Sequence, residues 1–205
     1  MKKTFGIIGA GNIGQSVAHH LLAAGFEVTL ANSKGPETLK DVVAGLGKGA
    51  KAGTQKEAAS KDIVVLAIPW MALSSLAGLT DWKGKWVIDA TNQYTSTNPH
   101  TLIDLGGKPS SQFVSEAIPG ARIVKAFNTL WYKILASDPR QGGGNRVLWV
   151  SGDDAEVKKE IMDILTALQF APVDIGSIAH SKIQEQDGLL GHINLVRVAY
   201  DVYQP

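Results

Sequence analysis

The residues best placed to do chemistry stand near the start of the chain. Gly9-Ala10-Gly11-Asn12-Ile13-Gly14 follows a short apolar run, Phe5–Ile8, and leads into a helical pattern from Asn12 to about Ala24. In a strand, turn and helix of this kind each glycine has its own task. Gly9 permits the tight turn, Gly11 lets a pyrophosphate approach the backbone, and Gly14 lets helix and strand pack closely. The start of the helix adds unpaired N–H groups and a partial positive charge, so the chemistry on offer is the binding of phosphates. A glycine-rich turn chosen only for packing would explain Gly14 but hardly all three glycines. The expectation is a dinucleotide site built on residues 9–14.

The second strand decides which dinucleotide. Proteins that use NAD place Asp or Glu at its end, on the ribose 2′-hydroxyl, whereas this chain has Ala31-Asn32-Ser33-Lys34. No carboxylate is there to repel a 2′-phosphate, and an amide, a hydroxyl and an ammonium can all donate to one. The pattern favours NADP(H) over NAD(H). Ser33-Lys34-Gly35-Pro36 also reads as a turn capping the next helix, with Pro36 at its first position, and both readings can hold together.

The elements that must position these groups alternate. Strands are expected at Glu27–Ala31, Ala50–Gly53, Asp62–Ile68, Trp86–Ala90, Arg122–Phe127, Arg146–Val150 and Pro172–Ile175, and helices at Pro36–Leu46, Met71–Leu79, Ser110–Ala117 and Asp154–Leu168. Thr95–Gly107 reads as a polar loop and Asn128–Gly144 as the least regular stretch, while Ser177–Tyr203 is expected to be helical with a break near Gly188 and Gly191. Such alternation predicts an α/β fold of Rossmann type: a doubly wound, mostly parallel sheet with helices on both faces and a C-terminal helical extension. The whole chain, 1–205, is expected to form a single NADP-binding domain. Residues 1–130 would be its core, and 131–205 would hold extra strands, the C-terminal helix and the acceptor and dimer region.

Composition excludes several classes. Lys and Arg number 20 against 19 Asp and Glu, so no broad field exists to hold nucleic acid or an anionic membrane. With no cysteine, disulfides and thiolate chemistry are absent. No run approaches the roughly 18 to 20 apolar residues that span a bilayer, and Lys2-Lys3 before Phe5–Ile8 leads into the glycine turn too soon for a signal peptide. A soluble cytoplasmic protein is the expectation. The histidines lack metal-binding spacing, and no metal site is expected.

Read with Asn32-Ser33-Lys34, the blocks Ala67-Ile68-Pro69-Trp70, Asp89-Ala90-Thr91-Asn92, Val124-Lys125-Ala126-Phe127-Asn128-Thr129, Ser151-Gly152-Asp153-Asp154 and Pro172-Val173-Asp174-Ile175-Gly176 give a recognisable order. The chain resembles the coenzyme F420-dependent NADP reductase family over nearly its entire length. It is similar also to the cytosolic NADPH-oxidising domain of the six-transmembrane metalloreductases, above all over Ile123–Asn128. The resemblance implies an NADPH-binding fold that passes hydride to FMN, FAD or coenzyme F420 lying across the nicotinamide. It implies that Gly9 to Gly14 hold the pyrophosphate, Asn32, Ser33 and Lys34 the 2′-phosphate, and Ile68, Pro69 and Trp70 the adenosine and ribose side. Asn92 and Ala126 would line the nicotinamide end, with Phe127, Asn128 and Trp131 toward the acceptor. The segment Lys125–Thr129 departs from the archaeal deazaflavin enzymes, which leaves the acceptor open.

Other readings stand beside this one. A flavin acceptor needs no general acid, but a carbonyl or imine would, and Lys125 is then the candidate; alternatively it pairs with a phosphate or reaches solvent. A non-catalytic NADP-binding redox sensor is a further reading. Trp131 and Tyr132 could cover a planar ring or serve as core or subunit interface. His19 and His20 read as packing or surface residues. Leu189, Leu190, Ile193, Leu195, Val196 and Val198 give the C-terminal segment more apolar surface than a small domain should leave in water, and a homodimer contact is expected.

Overall fold

The computed structural model describes residues 3–97 and 100–198. The chain opens with β1 (Phe5–Ile8), α1 (Asn12–Ala23) and β2 (Val28–Ala31). A 3₁₀ turn at Pro36–Leu39 runs into α2 (Lys40–Leu46), followed by β3 (Ala50–Ala52), α3 (Gln55–Ala59), β4 (Ile63–Leu66) and β5 (Trp86–Asp89). A small hairpin, β6 (Tyr94–Thr97) and β7 (His100–Leu102), precedes α4 (Ser110–Ala117), β8 (Arg122–Lys125) and α5 (Tyr132–Leu135). Then come β9 (Arg140–Gln141), β10 (Gly144–Gly152), α6 (Ala155–Ala167), β11 (Ala171–Asp174) and β12 (Val196–Val198).

The main sheet runs β11-β10-β8-β5-β4-β1-β2-β3. From β3 to β8 every pairing is parallel, and β10 then pairs antiparallel with β8 and parallel with β11. Burial on both faces explains the unbroken apolar run of β4. Ile63 and Val65 enter one core with Phe5, Val17, Leu21, Ile88, Val124 and Ile161, while Val64 and Leu66 enter the other with Val87, Trp82 and Val114. The carboxyl ends of β1, β2, β4, β5 and β8 therefore open on one edge, where parallel sheets of this order bind ligands.

The doubly wound, mostly parallel architecture is as expected, but several local expectations fail. Ser177–Tyr203 is not a helical extension: a 3₁₀ turn at Ile178–Gln184 gives way to turns, and Val196–Val198 forms an antiparallel edge on β10. Residues 199–203 of that expected helix lie outside the described residues. The physical reason is competition, since Gln184, Glu185, Gln186 and Asp187 spend their side chains on the strand ends of the sheet, and β-branched Val196 and Val198 suit a strand. The stretch after β4 is a 3₁₀ turn over Trp70–Leu76 rather than a helix to Leu79, and the expected loop at Thr95–Gly107 contains part of the β6–β7 hairpin. Helix α3 has no apolar period long enough to announce it; a capping box between Thr54 and Glu57 starts it. Among the described residues no helix is long and apolar enough to cross a membrane.

Candidate functional site

The three glycines meet three different environments. Gly9 has φ +115°, and a Cβ there would stand 2.1 Å from the Ala67 carbonyl oxygen. A Cβ on Gly14 would stand 1.8 Å from the Gly9 carbonyl oxygen, so helix and turn touch through backbone. Gly11 differs: a Cβ there would meet nothing within 4 Å. Protein packing gives no reason for a glycine at that exposed position, whereas a ligand approaching the backbone does. Gly11 is the N-cap of α1 and offers no side-chain cap, and the first intrahelical bond recorded is from Gln15 N to the Gly11 carbonyl. The N–H groups of Asn12, Ile13 and Gly14 are thus left as donors for an anion, which is the fit a dinucleotide pyrophosphate requires.

Beyond β2 the expected 2′-phosphate residues divide. Asn32 builds the turn, its Nδ2 donating to Thr38 Oγ1 at 2.8 Å and its Oδ1 accepting from Lys34 N at 2.9 Å. Ser33 and Lys34 are exposed, and their side chains have no hydrogen-bond or ion-pair partner among the described residues. They are the two donors left to meet an anion. After β4, Ile68 is buried and Pro69 exposed, but the Trp70 ring is only 8% exposed and packs edge-on to Phe113 at 6.0 Å. Trp70 is a core residue that fixes the loop, and Pro69 is the part of this block that faces outward.

Just past the ends of β5 and β8 the chain makes a constrained turn. Phe127 has φ +68° and is 1% exposed. A bulky side chain in the left-handed region is a strained arrangement costing about 1–3 kcal/mol. Its ring lies in the core against Phe170 at 6.4 Å, and its N–H and carbonyl make no hydrogen bond among the described residues. What residues 126–128 offer a ligand is therefore backbone. Asn128 is buried: its Nδ2 donates to the Gln184 carbonyl at 2.8 Å and to Asn92 Oδ1 at 3.3 Å, and its own carbonyl accepts from Asn92 Nδ2 and Gln186 Nε2. Trp131 is 53% exposed, beside the first turns of α1, where Ser16 Oγ reaches the Tyr132 carbonyl.

Lys125 is neither solvated nor available to a phosphate, which corrects the alternatives the sequence offered for it. It is fully buried, its Nζ donating to Asp89 Oδ2 at 3.0 Å and to the Thr91 carbonyl at 3.1 Å. Ser111 Oγ donates to the same carboxylate oxygen, and Thr91 donates twice to Oδ1. Burial pushes the Asp89 carboxyl up, but the Lys125 ammonium and these hydrogen bonds outweigh it and hold the group below the usual carboxylate range. His20 is a packing residue: it is buried, Nε2 lies 2.6 Å from the Leu135 carbonyl, and burial lowers its pKa despite that bond.

Sequence reasoning missed the partners from the C-terminal segment. Glu185 is fully buried and accepts from Ser110 N and, at 3.2 Å, from Gln93 Nε2, while Gln186 Oε1 accepts from Tyr94 Oη at 2.9 Å. The available signal was Gln184-Glu185-Gln186-Asp187 itself, a polar run in an otherwise apolar segment. A groove of about 440 Å³ along α4, lined by Gln112, Arg122, Asp153 and Ile178 among others, contains none of the fingerprint residues and belongs to no part of this site.

A helix start without a side-chain cap, a cation and a hydroxyl just past β2, and a strained turn thus share one edge of a Rossmann-type sheet, an arrangement suited to a dinucleotide. Comparison with known proteins agrees. Residues 4–93 match the sequence profile of the family described as NADP oxidoreductase, coenzyme F420-dependent. The chain is similar to a hypothetical protein of Sinorhizobium meliloti of known structure, with 38% identity, 96% of each chain covered and a TM-score of 0.89. It is 30% identical to the metalloreductase STEAP3 of Rattus norvegicus over 86% of this chain and 34% of that protein. The chain thus spans about a third of the length of the metalloreductases it matches. A structure from Arthrobacter sp. FB24 named for F420-dependent NADP reductase activity shares the fold, at 23% identity, 86% coverage of both chains and a TM-score of 0.75.

Proposed function

We propose that this protein transfers hydride between NADP(H) and a flavin or deazaflavin held over the strand ends between Asn92 and Trp131. The observation that carries the reading is the Phe127 turn: a strained, buried residue whose peptide N–H and carbonyl have no hydrogen-bond partner among the described residues, on the sheet edge that also holds the fingerprint. Buried peptide groups are nearly always paired, so this turn is shaped for a ligand that pairs them, and the carboxamide of a nicotinamide has the matching donor and acceptor. Residues 9–14 and the α1 start would hold the pyrophosphate, and Ser33 and Lys34 the 2′-phosphate. Bound NADPH would supply the hydride, leaving NADP⁺, while the acceptor gains two electrons and takes any further proton from solvent.

The chain's own part is placement, which can supply much of the rate. Two features support the acceptor class. Lys125, the acid a carbonyl or imine would call for, is sealed on Asp89, and the exposed Trp131 ring, with the Lys133 ammonium 5.0 Å from its centroid, offers an aromatic surface beside a cation to a flat ligand. The exposed Leu189, Ile193, Leu195 and Val198 support a homodimer, which analytical ultracentrifugation tests. The deciding experiment mixes purified protein and NADPH with FMN, FAD and coenzyme F420 in turn. The NADPH absorbance is expected to fall with at least one of them. Tight NADPH binding with unchanged absorbance across the panel would reject the enzyme reading and favour the redox sensor.

A further inference from the structure

Asp89 and Lys125 are the last residues of β5 and β8 and are register partners on adjacent parallel strands. Both side chains are fully buried. A buried ion pair is a poor device for stability, because apolar residues of similar volume in its place are often neutral or stabilising. Its use is better sought in what it fixes. The Lys125 ammonium also holds the Thr91 carbonyl, and the next residue, Asn92, donates to the Asn128 carbonyl at 3.0 Å. On the other side, Gln184 Nε2 donates to the Lys125 carbonyl at 3.3 Å and to Asn128 Oδ1 at 2.9 Å. Between these two supports lies Phe127 with its left-handed backbone. The pair therefore ties together the two chain segments that leave the sheet at the nicotinamide end.

We infer that Asp89 and Lys125 act as positioning residues, joined beneath the site so that the loops after β5 and β8 hold the nicotinamide ring at a fixed height and angle toward the acceptor. This rests on the proposed function. No bond is made or broken at either residue. The adenosine end is held separately, by residues 9–14 and by Ser33 and Lys34, so the inference separates binding from alignment.

The test compares wild-type protein with Asp89→Leu/Lys125→Met, an apolar pair of similar volume, and with Asp89→Asn, which keeps the shape and removes the charge. Both variants are expected to bind 2′,5′-ADP with near wild-type affinity. In the apolar pair the fluorescence gain of NADPH on binding should fall, and single-turnover oxidation by FMN should slow about tenfold to a hundredfold, the scale expected from a small misplacement. Asp89→Asn should move both readouts in the same direction, and each variant covers the case in which the other does not fold, since Asp89→Asn keeps the hydrogen-bonding shape but leaves the Lys125 charge unpaired whereas the apolar pair removes both charges. A role confined to stability predicts unchanged emission and rate in whichever variant folds, and that result overturns the inference. Absence of NADPH binding by the wild-type protein would instead sink the proposed function along with the inference resting on it.

Discussion

Asn92 and Asn128 hold each other across the ends of two parallel strands: the Asn92 amide donates to the Asn128 carbonyl at 3.0 Å, and the Asn128 amide returns a bond to Asn92 Oδ1 at 3.3 Å. The two are not equivalent, because Asn128 is buried and also pairs with Gln184, whereas Asn92 is half-buried. Asn128→Ala should lower unfolding free energy by about 1–3 kcal/mol, since it removes the donor to the Gln184 carbonyl and the nearer of the two acceptors of the buried Gln184 side-chain amide. Asn92→Ala should cost clearly less. Urea unfolding of both variants checks this, and equal losses would contradict the assigned burial of Asn128.

The glycines of the turn should separate folding from binding. Gly14→Ala forces a Cβ to 1.8 Å from the Gly9 carbonyl oxygen, so the helix must shift, at about 1–3 kcal/mol of stability. Gly11→Ala adds a Cβ that meets no protein atom within 4 Å and should melt near wild type. Its NADPH affinity should nonetheless drop by about tenfold or more, near 1.4 kcal/mol. Thermal melts and NADPH titrations of the two variants give the comparison, and a Gly11 variant with wild-type affinity would remove the pyrophosphate from this turn.

On the proposed function, Ser33 and Lys34 are predicted to set the choice of cofactor. Ser33→Asp with Lys34→Ala replaces two donors by a carboxylate where a 2′-phosphate would sit, so NADPH binding should weaken far more than NADH binding. Dissociation constants for the two cofactors, measured at one ionic strength, decide it. Equal losses would show that the end of β2 does not read the 2′-phosphate.

His20 should make the fold sensitive to pH as it falls from about 6.5 toward the lowered folded-state value. Burial lowers its folded-state pKa, the adjoining Leu135 carbonyl offsetting that only in part, so the folded protein resists the proton that the unfolded chain accepts near the usual value of about 6.5. Its contribution to stability is therefore present above that value and is lost as pH falls through the folded value. Wild-type melting temperature should decline across this window, and His20→Gln should flatten the slope. The depressed carboxylates Asp62, Asp89 and Asp154 act in the same direction but at lower pH, below the ordinary carboxylate range.

How far the sequence reveals the molecule depends on the range of the forces involved. β4 and the Gly9–Gly14 turn were legible because burial on both faces and close backbone contacts leave a local mark in residue type. The exposed donors Ser33 and Lys34 were legible for the same reason, since they stand next to the strand whose end they decorate. The Lys125–Asp89 pair was not, because its partners lie 36 residues apart and only sheet register brings them together. Nor was the segment after Ser177, where Glu185 reaches Ser110 across 75 residues and tertiary hydrogen bonds defeat a helical pattern. Phe127 was read as the end of a strand, but β8 stops at Lys125 and Phe127 stands in the left-handed turn beyond it; the direction of its ring and of the Trp70 ring, into the core, is set by Phe170 and Phe113 far along the chain.

Trp131 has a practical consequence. Of the five tryptophans, Trp70 and Trp82 are buried, Trp86 and Trp149 are half-buried, and Trp131 alone is largely open to water. Its indole emission is consequently the red-most and most quenchable part of the protein's ultraviolet spectrum. A planar acceptor settling on that ring would shift the signal to the blue or extinguish it, while a ligand bound elsewhere would leave it alone. The molecule carries its own optical gauge of occupancy, readable without a label and cancelled by Trp131→Phe.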